Sequence, residues 1–151
     1  MTEMKAAQAV RDVVTRVAHR IDRREWQELR ALYADDVHVD YTSLFGGEAQ
    51  TVAGDALIEN WRTLLMPLDA TQHLIGPIEV EVRNDEADAG CHVRGYHVLG
   101  DDVWLVAAHW VMKLKRSPQW RIAHMQLDLL YQTGNRNLLT IAARRSKDTT
   151  I

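Results

Sequence analysis

The hydrophobic period of this chain settles at two near Thr71 and stays there, and that change limits the fold more than any other feature. Before it, apart from one short alternating run at Val37–Tyr41, apolar residues recur every three to four positions. After it they recur at every second position as far as Tyr131. Helices therefore come first and long strands last. A chain that separates its helices from its strands folds as α+β, with helices packed on one face of a curved, mainly antiparallel sheet. Strand and helix do not alternate and no glycine-rich phosphate loop is present, which argues against a doubly wound nucleotide-binding fold.

The first helix is marked by Val10, Val13, Val14, Val17 and Ile21. Asp22 precedes Glu25 by three residues, the spacing of a capping box for a second helix, with Ile21 and Trp26 in the staple positions. Trp26, Leu29, Leu32 and Tyr33 give that helix its stripe, and Ala34-Asp35-Asp36 reads as its stop. Val37, Val39 and Tyr41 alternate with polar residues as a strand. Asp55 to Met66 is a third helix, closed by Pro67. Strands then follow over Ile78–Val82, Ala87–Leu99, Val103–Lys115 and Trp120–Tyr131.

The chain has 151 residues, 46% of them hydrophobic and 26% charged. At this length one core suffices, because a folded domain buries roughly 70% of the surface its unfolded chain exposes. We expect a single domain over residues 1–133 and a solvated tail over 134–151 that carries Arg144, Arg145 and Lys147. A net charge of -3 gives no electrostatic support for nucleic-acid binding. Cys91 is the only cysteine, which excludes a disulfide framework and a cysteine-rich zinc site. No apolar run is long enough to span a membrane and no signal peptide is evident; a cytoplasmic protein is expected.

Val103–Leu114 is apolar on both faces. Its even positions include Trp104, Val106, Trp110 and Met112, and its odd positions include Leu105, Ala107 and Val111. A sheet covered by helices needs only one such face. The simplest cover for the other is a second subunit, so a homodimer or homotrimer through the outer sheet face is expected, with Trp104, Trp110 and Met112 at the contact. The alternative cover is the C-terminal tail.

Of seven histidines, two sit oddly. His97 lies on the apolar face of its strand, in line with Val93 and Leu99. His73 lies where the apolar parity shifts between Ile75 and Ile78, and a break at Gly76-Pro77 would turn it inward. A buried histidine must satisfy its ring nitrogens and responds to a nearby carboxylate. Asp22 is a possible partner, although a helix cap is the more common use of such a residue. No histidine pair has metal-ligand spacing on one helix, so no metal is expected. Tyr41 has two readings, core residue or site residue.

Four segments together resemble one family: Ile21-Asp22-Arg23-Arg24-Glu25-Trp26, Val39-Asp40-Tyr41, Thr71-Gln72-His73-Leu74-Ile75-Gly76, and His109-Trp110 with Trp120 to Asp128. The chain resembles the NTF2-like cone proteins of the SnoaL-like group, and among them the scytalone and bile-acid dehydratases. The resemblance implies a deep pocket inside the cone, closed by the helices. It implies His73 as general base or acid, Asp22 and His97 as a supporting pair, and Tyr41 polarising a substrate carbonyl. Ile21 replaces a tyrosine of scytalone dehydratase, and Leu105 and Ala107 replace polar substrate-binding residues. The pocket, with Trp26 and Trp61 also contributing, should therefore be more apolar.

These readings point to a cofactor-free enzyme, a dehydratase-like lyase or an isomerase or cyclase, acting on a small apolar cyclic carbonyl compound. The other reading is a ligand-binding or assembly module with a pocket but no turnover, since fold alone does not settle function.

Overall fold

The computed structural model describes residues 2–148. Helix α1 (Glu3–Asp22) begins where the Thr2 hydroxyl accepts the Lys5 backbone N–H at 3.3 Å, which satisfies one of the free amides of a helix start. Val10, Val13, Val14, Val17 and Ile21 form its buried stripe, as their spacing predicts. Fully burying a side chain of this kind contributes roughly 1.5–3 kcal/mol, so the stripe anchors α1 against the sheet.

Helix α1 runs through Asp22 and ends at Arg23, so the expected cap at Asp22 is not made. Helix α2 (Trp26–Arg30) starts after Glu25, whose side chain caps nothing and pairs with Arg20 at 3.1 Å. Helix α2 is also shorter than its apolar stripe suggests. The Arg30 guanidinium donates to the carbonyls of Tyr33 and Ala34 and draws the chain into strand β1 (Tyr33–Asp40). Ala34-Asp35-Asp36 is therefore strand, not turn. Tyr41 follows β1 at the head of a short helix, α3 (Thr42–Phe45). Strand β2 (Gln50–Ala53) pairs with β1 and leads into α4 (Gly54–Leu65).

Strands β3 (Ala70–Ile75) and β4 (Glu79–Arg83) pair with the two halves of β5 (Glu86–Leu99). The break between them falls at Gly76-Pro77, as the parity shift predicts, with the Gly76 N–H donating to the His92 carbonyl at 3.0 Å. Pro77 has no N–H to continue the ladder. Strands β6 (Asp102–Arg116) and β7 (Trp120–Gly134) complete a curved sheet of order β2-β1-β7-β6-β5-β3, with β4 also on β5. Only β1 and β7 run parallel among these pairs. This is the α+β cone that the sequence implies. No helix among the described residues is long and apolar enough to cross a membrane.

Two further expectations are corrected. Trp104, Trp110 and Met112 are 3%, 2% and 1% exposed and lie in the core, not on the outer face. The reason is on the neighbouring strand. Met112 and Trp110 sit opposite Ala89 and Cys91 of β5, and small residues there leave volume for large ones on β6. The outer face of β6 is the odd set, including Leu105 and Ala107. The tail is also not simply solvated. Residues after Gly134 form α5 (Leu138–Asp148), which buries Leu138 and Ala142 and packs on α4, β5 and β6. Arg144, Arg145 and Lys147 are on its exposed side; positions 149–151 of the expected tail lie outside the described residues.

Candidate active site

Asp22, the last residue of α1, reaches across to β3. One carboxylate oxygen, Oδ1, lies 2.7 Å from His73 Nδ1 and accepts the Thr71 hydroxyl at 3.0 Å. The other, Oδ2, accepts the His73 backbone N–H at 2.6 Å. An ionised carboxylate can only accept, so Nδ1 of His73 carries the hydrogen and the neutral ring keeps its lone pair on Nε2. Burial pushes the Asp22 carboxyl up, but the bonds from the His73 ring and backbone and from Thr71 outweigh it, and the group lies below its ordinary 3.8.

His97 does not pair with Asp22. Its Nδ1 donates to the Trp104 carbonyl at 3.0 Å across the β5–β6 hairpin. Register explains the difference: Thr71 and His73 of β3 lie opposite His97 and Gly95 of β5, so His73 occupies the place beside the carboxylate. The His97 and His73 rings meet edge to face, 6.0 Å between centroids. Burial lowers His97 to about 4, with the Trp104 carbonyl opposing that and the nearby His73 adding to it. His97 is therefore a neutral imidazole at pH 7. The Tyr41 hydroxyl is 3.8 Å from the Met125 sulfur. Burial raises it well above its ordinary 10, against a smaller opposite effect of Trp110, so it remains a protonated donor.

These groups border a cavity of about 490 Å³ inside the cone. His73, His97 and Tyr41 line it, and Asp22 stands behind His73. Of the expected substrate-contact residues, Ile21 and Trp61 line the cavity. Trp26 does not; it packs on the core away from it. Leu105 and Ala107 do not either, because they are on the outer face of β6. Residues that the sequence pattern did not assign to the site include Trp104, Trp110, Phe45, Asn60 and Thr140. Parity would have found the two tryptophans had the inner face of β6 been chosen correctly. Thr140 lies in α5, in the segment whose basic residues signal a solvated tail. Among the described residues, no group of three His, Cys, Asp or Glu is placed to hold a metal ion.

A cone of curved sheet whose apolar interior is also lined from α3, α4 and α5 defines a class of fold. The model of the SnoaL-like domain matches residues 2–126, and the chain belongs to that family, within the NTF2-like fold. A protein from Kribbella flavida is 27% identical, with a TM-score of 0.85 over 91% of this chain and 99% of its own. A candidate scytalone dehydratase from Novosphingobium aromaticivorans is 18% identical, with a TM-score of 0.76 over 87% of this chain and 89% of its own. Hexachlorocyclohexane dehydrochlorinase LinA-type3 from Novosphingobium barchaimii is 17% identical, with a TM-score of 0.73 over 87% and 91%. The last two similarities show the fold alone. No curated protein matches the chain.

Proposed function

We propose that the chain is a cofactor-free, dehydratase-like lyase, or an isomerase or cyclase using the same parts, that acts in the cytoplasm on a small apolar cyclic carbonyl compound. One observation carries this reading: Asp22 holds His73 by Nδ1, and the ring faces an apolar cavity. In a dehydration, His73 Nε2 takes a proton from the carbon beside the carbonyl. The C–H electron pair moves toward the carbonyl, and Tyr41 donates to the developing enolate oxygen. Asp22 stabilises the imidazolium. The enolate then expels the hydroxyl from the adjacent carbon, His73 returns its proton to that oxygen, and water leaves. In an isomerase the proton returns to a different carbon. His97, being neutral, serves as a hydrogen-bonding neighbour and not as a second charge. The names of two structural neighbours denote elimination of water and of hydrogen chloride, which is the same class of chemistry.

The test is a panel of bicyclic β-hydroxy ketones followed by mass spectrometry for loss of water. His73→Gln keeps similar bulk and one hydrogen-bonding arm but removes the base. Turnover should fall by roughly 100-fold or more, the size of lost acid–base catalysis, while binding survives. Turnover at the parent rate would refute the mechanism. Binding without turnover by the parent protein would favour the binding-module reading, for which the apolar cavity is the supporting feature. The replacement of polar residues at Leu105 and Ala107 gives that reading no support, since neither borders the cavity.

A homodimer or homotrimer through the outer sheet face belongs to this proposal. Leu130 and Tyr131 are 55% and 48% exposed and lie on β7 beside Ala107 of β6. Light scattering that shows a monomer at micromolar concentration would remove it.

A further inference from the structure

We infer that Gly95 is a positioning residue of the site: its missing side chain is what lets His73 keep Asp22 and still present Nε2 to the cavity. The inference rests on reading His73 as the acting group, but it is tested without turnover. Gly95 is in the middle of β5, opposite His73 of β3 on one side and Val106 of β6 on the other. A glycine inside a paired strand weakens the strand and marks a close approach by something else. Its φ is outside the left-handed region, so the backbone does not require glycine.

The requirement is space. A Cβ on residue 95 would lie 3.3 Å from both Cδ2 and Nε2 of His73 and 3.4 Å from Cε1 of His97. The 3.3 Å contacts need the His73 ring to yield by a few tenths of an ångström, and both rings are held in place. His73 is held at Nδ1 by Asp22 and stacks on Trp110 at a centroid distance of 5.9 Å. His97 is tied by Nδ1 to the Trp104 carbonyl and lies 4.7 Å from the Trp104 ring. An added methyl group would tilt the His73 ring, lengthen its bond to Asp22 and cover Nε2. The two imidazoles share the space over the Gly95 Cα.

Gly95→Ala is the test, read by NMR of the imidazole Nδ1 proton of His73. The strong bond to Asp22 places that resonance far downfield, and in Gly95→Ala it should move upfield and broaden. An unchanged resonance overturns the inference. Stability supplies an independent arm. In the parent, Gly95→Ala meets the His73 ring; in a His73→Ala background only His97 Cε1 remains, at 3.4 Å and the edge of ordinary van der Waals contact, and alanine suits the strand better than glycine. The change in Tm on Gly95→Ala should therefore be more favourable in the His73→Ala background. Equal changes in both backgrounds overturn the inference. If Gly95→Ala alone does not fold, restored folding in the double variant supports the inference and continued failure overturns it. If instead His73→Gln turned over at the parent rate, the proposed chemistry would fall while the ring's dependence on Gly95 stood.

Discussion

Asp22 grips His73 at two points: one carboxylate oxygen lies 2.7 Å from the ring Nδ1, and the other accepts the backbone N–H at 2.6 Å. One side chain at the end of α1 thus sets both the orientation of the imidazole and the position of β3. A ring oriented by a carboxylate has a defined tautomer, and here that tautomer leaves Nε2 as the acceptor.

Asp22→Asn keeps the shape and removes the charge. Asparagine offers one accepting oxygen where two are in use, so its NH2 must face a donor. Leaving a buried donor unpaired costs about 1–3 kcal/mol, which thermal denaturation at neutral pH will read. The imidazolium also loses its partner, so turnover, once a substrate is in hand, should fall by roughly 100-fold or more. A variant as stable and as active as the parent would show that the pair does neither job.

Burial of His97 makes stability depend on pH. In the unfolded chain this ring binds a proton below its ordinary 6.5; in the folded protein it does so only near 4. Between these values the unfolded state binds more protons, so stability rises with pH. Above 6.5 the ring is neutral in both states and its burial costs nothing; below that the fold is increasingly penalised, and the full penalty is reached as pH falls past about 4. At about 1.4 kcal/mol per pH unit, it amounts to about 3 kcal/mol. His97→Gln should flatten that part of the curve in urea titrations across the range. The same slope in both proteins would mean that His97 is protonated in the fold.

Much of this was legible from pattern. The change of period near Thr71 marks where the long strands begin, although β1 and β2 precede it and α5 follows them, and the parity shift across Gly76-Pro77 turns His73 inward. The partner of Asp22 was not legible. A carboxylate at a helix end has the same local signal whether it caps the next helix or reaches a strand, and the deciding contacts are about fifty residues away. The face of β6 was misread because both faces are apolar. The signal lay on β5, where Ala89, Cys91 and Gly95 leave room for large neighbours. In α5, the spacing of Leu138, Ile141 and Ala142 is helical, but the basic run Arg144, Arg145 and Lys147 carries the stronger local signal, for solvent.

That reversal of faces is testable. Trp110 is buried and stacks on His73, so Trp110→Ala should cost about 3–5 kcal/mol, as truncation of a core aromatic does. Denaturant titration measures the loss. If Trp110 lay on an outer face, the cost in a monomer would be small. Acrylamide should also quench Trp104 and Trp110 poorly in single-tryptophan variants, whatever the oligomeric state.

Thr71 is the third donor to the Asp22 carboxylate, 3.0 Å from Oδ1, and its side chain is buried. Its bond holds the oxygen that also faces His73 Nδ1, so the hydroxyl steadies the ring through the carboxylate. Thr71→Val keeps the shape and the β-branch that suits a strand but removes the donor. The carboxyl then loses one of the bonds that lower it, and should titrate at higher pH. A carboxyl depressed in the fold stabilises above its unfolded value and loses that contribution as pH falls through the folded one. In Thr71→Val the folded value moves back toward the ordinary 3.8, so the loss on acidification should be smaller and complete at a higher pH than in the parent. At neutral pH the variant should still fold, because Asp22 keeps both bonds to His73. With a substrate, kcat should fall by roughly tenfold, which corresponds to 1.36 kcal/mol of barrier, and KM should change little. Thr71→Ser restores the hydroxyl and should recover both the acid limb and kcat. If Thr71→Val and Thr71→Ser behave alike in both measurements, the hydroxyl does not position Asp22, and only the packing of residue 71 matters.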